Sequence, residues 1–272
     1  MSNAVISMEA GRWRSRLLVF GGLGAVTALS WLYLVRMNGD MLQGDCMASL
    51  AKSATLPATL PATLPGLAEQ FLSAGAMWSI MMVAMMLPTA LPAAAVFDNL
   101  AHRRASQVGM AVAPTSLYVV GYIAAWTVYS IAAAIVQIVL SRAALLTPML
   151  ESASVVLSAL ILLGAGAFQF SALKEACLSQ CRTPLAFFLA EWRDGKAGAL
   201  RVGFKHGSYC VGCCWALMAV MLVVGAMNLV WMAALTVFML AEKVAPARWR
   251  FGHVAGGVLM LWGLVVAASL LR

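Results

Sequence analysis

Read for where apolar residues run on and where polar ones interrupt, the chain divides into seven hydrophobic segments, at 17–35, 73–97, 114–140, 152–173, 208–224, 228–242 and 253–271. Most are long enough to cross a hydrocarbon layer of about 30 Å as a helix. Only a few residues around Gly225 separate the fifth segment from the sixth, so the two are antiparallel neighbours. Because both are short, the fifth is expected to reach back to about Gly203 and the sixth to begin near Met227. No small-x-small site follows the first segment, which reads as an uncleaved helix. Pro88 and Pro92 fall inside the second, where proline kinks a helix and frees backbone carbonyls that need other partners.

Composition turns these segments into membrane spans. A chain of 272 residues that is 63% apolar and 10% charged, with a mean hydropathy of +0.90, cannot cover a water-facing surface with polar groups. The fold class is therefore an all-α integral membrane protein, a polytopic bundle of about seven transmembrane helices. The net charge of +8 does not point to nucleic acid, because the basic residues sit in short loops beside apolar segments. With that segmentation fourteen Lys and Arg fall on one side and only Arg36, Lys52, Arg142 and Arg272 on the other. This bias places the N-terminus in the cytoplasm and the C-terminus outside.

Three regions follow: residues 1–36, a cytoplasmic tail and first helix; 37–72, an extracytoplasmic loop; and 73–272, the remaining bundle, with a cytoplasmic loop at 174–205. The outer loop carries a threefold Thr-Leu-Pro repeat at 55–66. Proline at every fourth residue favours an extended spacer over a helix.

Five of the six cysteines lie in two patches, Cys177 with Cys181 and Cys210 with Cys213 and Cys214. If residues 206–214 are helical, His206, Cys210, Cys213 and Cys214 share roughly a 100° arc. Cys177 and Cys181, at i and i+4, are expected on the helical end of the fourth span, so both patches meet at the cytoplasmic membrane face. Cys46 stands alone in the outer loop. Thiolate, thioether and imidazole ligands suit Cu(I) or Zn(II) far better than Mg or Ca. Lys174, Arg182, Arg201 and Lys205 would supply positive surroundings for the thiolates.

Met77, Met81 and Met85 repeat at i, i+4, i+8 on the second span, and Met218 and Met221 continue the cysteine face of the fifth. This gives a secondary soft-metal path, although flexible core packing accounts for a methionine stripe on its own. Glu242 beside Lys243 reads as an interfacial ion pair. His102 reads as a loop residue and His253 as an interfacial one.

Three functions use the cysteines: binding of Cu(I) for transport or delivery to a client protein, a thiol-disulfide oxidoreductase using Cys210 and Cys213, and a structural zinc knot. Signatures for hydrolysis, ATP use and c-type haem are absent, and the first function needs no enzymatic step.

The motifs Leu173-Lys174-Glu175-Ala176-Cys177-Leu178, Cys181-Arg182, Trp192-Arg193-Asp194-Gly195, His206-Gly207, Tyr209-Cys210, Gly212-Cys213-Cys214-Trp215, Met227-Asn228-Leu229 and Glu242-Lys243, with Met81-Met82-Val83-Ala84-Met85-Met86-Leu87-Pro88, resemble the signatures of the predicted metal-binding integral membrane proteins. The resemblance covers roughly residues 70–250. It implies a multispanning fold and metal binding in a bacterial cytoplasmic membrane, in a family without an assigned function that is sometimes labelled copper-chaperone-like. Phe170-Ser171-Ala172 stands where that family has Trp-Thr-Pro.

Overall fold

The computed structural model describes residues 2–42, 64–108, 114–147, 150–226 and 228–271. Cys46 and the first two Thr-Leu-Pro copies lie outside these residues. The elements are α1 (Ser2–Leu42), α2 (Leu64–Val108), α3 (Thr115–Arg142), α4 (Val155–Phe168), α5 (Ala172–Arg182), α6 (Pro184–Glu191), α7 (Gly195–Ala219), α8 (Met221–Val224), α9 (Leu229–Val244) and α10 (Phe251–Ala268), with short 3₁₀ turns at Ala247–Trp249 and Ser269–Leu271. The described residues contain no β-strand. The third Thr-Leu-Pro copy starts α2 rather than ending a spacer, with its proline in the first turn, where a missing N–H costs nothing.

Five helices are long and apolar enough to cross a membrane, and six if α4 and α5, bent by 62°, form one broken span. The segment that falls outside this count is the sixth, 228–242, now α9, which has 16 residues, short of the roughly 20 that a full crossing takes. The best spanning windows of α2 and α7 are 61% buried, against 6% for α1 and 22% for α10. Two central helices are thus wrapped by peripheral ones whose outward residues, such as Val237, Val254 and Leu261, remain exposed. Apolar side chains facing outward are what lipid requires.

Local sequence explains the breaks. Pro88 has no N–H, so the carbonyl of Ala84 loses its helical partner. The indole N–H of Trp31, on α1, donates to that carbonyl at 3.0 Å and ties α1 to α2. The fourth apolar segment, expected as one helix over 152–173, ends at Phe168. Ser171 then caps a new helix, its hydroxyl accepting from the Lys174 N–H at 3.1 Å. Ser171 and Ala172 occupy the N-cap and first helical positions that Thr-Pro would fill, so the departure from the family pattern preserves the restart.

The helix α7 begins at Gly195, eight residues before the expected Gly203. It runs parallel to α3, since Tyr118 meets His206 and Tyr122 meets Cys210. The two pack closely because a Cβ on Gly203 would overlap the Tyr118 carbonyl, and one on Gly121 the Leu200 carbonyl. Small residues at a seam let membrane helices approach to backbone contact.

Candidate metal centre

On α7, His206, Cys210, Cys213 and Cys214 all lie on the buried side, as helical spacing requires. The sulfurs of Cys210, Cys213 and Cys214 lie within 4.8 Å of one another. The helix fixes this grouping, because positions i, i+3 and i+4 share a face. The Cys213 and Cys214 thiols both donate to the Cys210 carbonyl, at 3.1 and 2.8 Å. These thiols are held by weak bonds that a metal would replace.

The second cysteine patch arrives on α5. Cys181 is buried in the same core cluster as Cys210, Cys213 and Cys214, on a helix packed against α7, so two helices bring four cysteines into one core. Cys177 is only half-buried, at the edge of the group. Its sulfur lies 2.8 Å from where a Gly212 Cβ would stand, so Gly212 is the opening that lets α5 close on α7. Because α5 follows a 62° bend, these two cysteines sit on a separate helix past the break in the fourth apolar segment. Cys210 also stands fifteen residues into α7, about 22 Å along its axis. The cluster is therefore inside the bundle and not at the tip of a helix.

His206 is buried one turn before Cys210. Its Nδ1 lies 2.6 Å from the Tyr118 hydroxyl, while its Nε2 is buried without a partner. Tyr118, Tyr122, Phe187 and Phe188 surround the ring. Phe187 and Phe188 belong to α6, and both are buried. The structure thus sets His206 beside the sulfur group and separate from it, with one free nitrogen.

The charged surroundings differ from expectation. Lys174 bonds Glu242 at 2.5 Å, both buried, and also Gln169. Arg182 donates to the Glu242 carbonyl at 2.9 Å, Lys205 pairs with Glu191 at 2.7 Å, and Arg201 is exposed. None of these meets a sulfur. The cation that does is Lys243, whose ammonium lies 3.0 Å from the Cys210 sulfur and 2.6 Å from the Thr89 hydroxyl. Glu242 and Lys243 do not pair with each other, because consecutive helical residues point about 100° apart. The Tyr122 hydroxyl is also 3.0 Å from the Cys210 sulfur. Tyr118, Tyr122, Thr89 and Lys243 are the site residues that sequence reasoning missed. The i, i+4 tyrosines of α3 and the Glu-Lys pair were visible in the sequence, but nothing there aimed them at cysteines.

The methionines gather around the same core. Met81, Met85, Met218 and Met221 are fully buried in the cluster that contains Cys181, Cys210, Cys213 and Cys214, and half-buried Met77 packs against it. Met82, Met86, Met232 and Met239 are buried there too, the last two on α9, which sequence reasoning left out.

A family model described as copper chaperone, PpoB2, matches residues 75–266, from within α2 into α10, with every residue of the sulfur group. No curated protein and no solved structure matches the chain. A match over well more than half of the chain, enclosing a buried three-cysteine group on a multispanning helical scaffold, shows that this protein belongs to the PpoB2 copper chaperone family.

Proposed function

We propose that the protein binds Cu(I) in the pocket formed by Cys181, Cys210, Cys213 and Cys214 and delivers it to a client protein at the bacterial cytoplasmic membrane. The observation that carries this reading is the grouping of three buried thiols within 4.8 Å. Soft sulfur ligands select Cu(I) over hard cations. The Lys243 ammonium balances charge that metal-bound thiolates bring into a buried site. Half-buried Cys177 is the exchange point with the outside, and Met77, Met81, Met85, Met218 and Met221 extend the soft surroundings through the bundle. Binding and ligand exchange suffice for this role, with no covalent chemistry. The N-terminus lies in the cytoplasm and the C-terminus outside, following the basic-residue bias.

Metal analysis of purified protein under reducing conditions tests the proposal. Wild type should retain copper that a strong Cu(I) chelator removes, and the Cys210→Ser/Cys213→Ser/Cys214→Ser variant should not retain it. Unchanged copper stoichiometry and affinity in the variant would sink the reading. One observation favours a second reading: Cys181 on α5, buried in the same core as the three thiols of α7, offers a fourth thiol for a zinc site that ties two helices. Zinc that stays bound in the presence of the Cu(I) chelator would select it.

A further inference from the structure

A second polar centre lies away from the sulfurs, where α4, α5, α9 and α10 meet. A cavity of about 450 Å³ is lined by Gln169, Ser171, Lys174, Arg182, Arg250 and His253, with Glu175 and Glu242 in the same wall. That volume is in the range of small-molecule sites, about 300–1,000 Å³.

Four observations give the cavity a chemical preference. Gln169 is buried, and its amide nitrogen has no hydrogen-bond partner, which leaves two N–H donors for an acceptor from outside. The first residues of α5 and α10 both line the wall, and helix N-termini favour negative charge. The carboxylates are already engaged, Glu242 with Lys174 at 2.5 Å and Glu175 with Arg182 at 3.5 Å. Arg250 is exposed and has no carboxylate partner among the described residues, so three cations face two anions. Beside the cavity stand the exposed apolar side chains of Phe170, Leu173 and Val254, a surface that lipid chains would cover.

We propose that this cavity is an oxyanion site that takes a phosphate group, with Arg250 and the Gln169 amide as its recognition donors. Phosphate in this position comes either from the headgroup of an anionic phospholipid whose chains lie along Phe170, Leu173 and Val254, or from free phosphate. Arginine matches phosphate with two parallel N–H bonds. The proposal does not rest on the copper reading, since Gln169 and Arg250 are not among the sulfur group.

The experiment is native mass spectrometry of the detergent-purified full chain with added phosphatidylglycerol, phosphatidylcholine or inorganic phosphate, on wild type, Arg250→Asn and Gln169→Glu. Asparagine tolerates the left-handed backbone at position 250, where φ is 46°. Glutamate keeps the oxygen that Lys174 uses and replaces the free N–H₂ with an acceptor. Thermal unfolding of each variant in detergent reports that it is folded. Wild type should hold phosphatidylglycerol in preference to phosphatidylcholine, and each variant should lose about tenfold in affinity, the effect of one charge-assisted hydrogen bond. Displacement of the lipid by millimolar inorganic phosphate identifies free phosphate as the ligand, and resistance to it identifies the lipid headgroup. Equal retention of the two lipids, or unchanged phosphatidylglycerol binding in both variants, overturns the proposal.

Discussion

Lys243 and Glu242 are neighbours that serve different centres. Lys243 reaches the Cys210 sulfur and Thr89, and Glu242 closes a buried pair with Lys174. Replacing Lys243 with methionine removes a charge-assisted bond, worth about 1.5–3 kcal/mol. Cu(I) affinity should therefore fall about tenfold or more in competition with a chromophoric chelator, and unchanged affinity would show that the ammonium has no part in the site. At Glu242 the expectation concerns stability. Breaking a buried pair from one side costs about 3–5 kcal/mol, whereas replacing both partners with apolar residues is often neutral. Glu242→Leu should lower the melting temperature in detergent, and Lys174→Met/Glu242→Leu should recover much of the loss. If the double variant is no more stable than the single one, the pair is not the source of the effect.

At the scale of elements, the site depends on two helix junctions. The seam of Gly121 and Gly203 brings α3 against α7, and with it Tyr118 and Tyr122 against His206 and Cys210. A methyl group at Gly203 would meet the Tyr118 carbonyl, and overpacking of this kind costs about 1–3 kcal/mol. Gly203→Ala should accordingly destabilise the protein and weaken copper binding together, although residue 203 touches no ligand; a variant with wild-type melting and affinity would disprove the seam's role. The other junction is the restart at Ser171, which aims α5 and Cys181 at α7. Ser171→Thr should be tolerated, and Ser171→Ala should cost about 1 kcal/mol for the lost cap, read by thermal unfolding.

For the whole molecule, the number of crossings and their direction set which side of the membrane the cysteine site faces. The parallel run of α3 and α7 agrees with the alternation that the charge bias implies, and α4 lies antiparallel to α10, since Gly166 faces Gly256 and Leu163 faces Gly263. A reporter enzyme active only outside the cytoplasm, fused after Arg272, should be active if α9 completes a crossing and the N-terminus is inside. An inactive fusion that folds would remove one crossing or reverse the orientation. For the proposed delivery this matters, because the side on which half-buried Cys177 opens would decide which client could reach the metal.

The sequence by itself determined the membrane class, the helical form, the family signatures and the one-sided grouping of His206, Cys210, Cys213 and Cys214. Each of these follows from composition or from the fixed 100° step of a helix, which are local properties. Only the tertiary structure decided that, of the two α5 cysteines expected beside the thiols, Cys181 is buried with them and Cys177 stays at the edge, that His206 stands apart on Tyr118, that the fourth span breaks, and that Lys243 rather than Lys174 faces the sulfur. Those outcomes depend on which helix packs against which and how closely, and packing is set by residues distant in the chain, such as Gly121 against Leu200 and Gly212 against Cys177. The spacing of the cysteines fixed their face on α7, and the bend before α5 supplied the fourth sulfur.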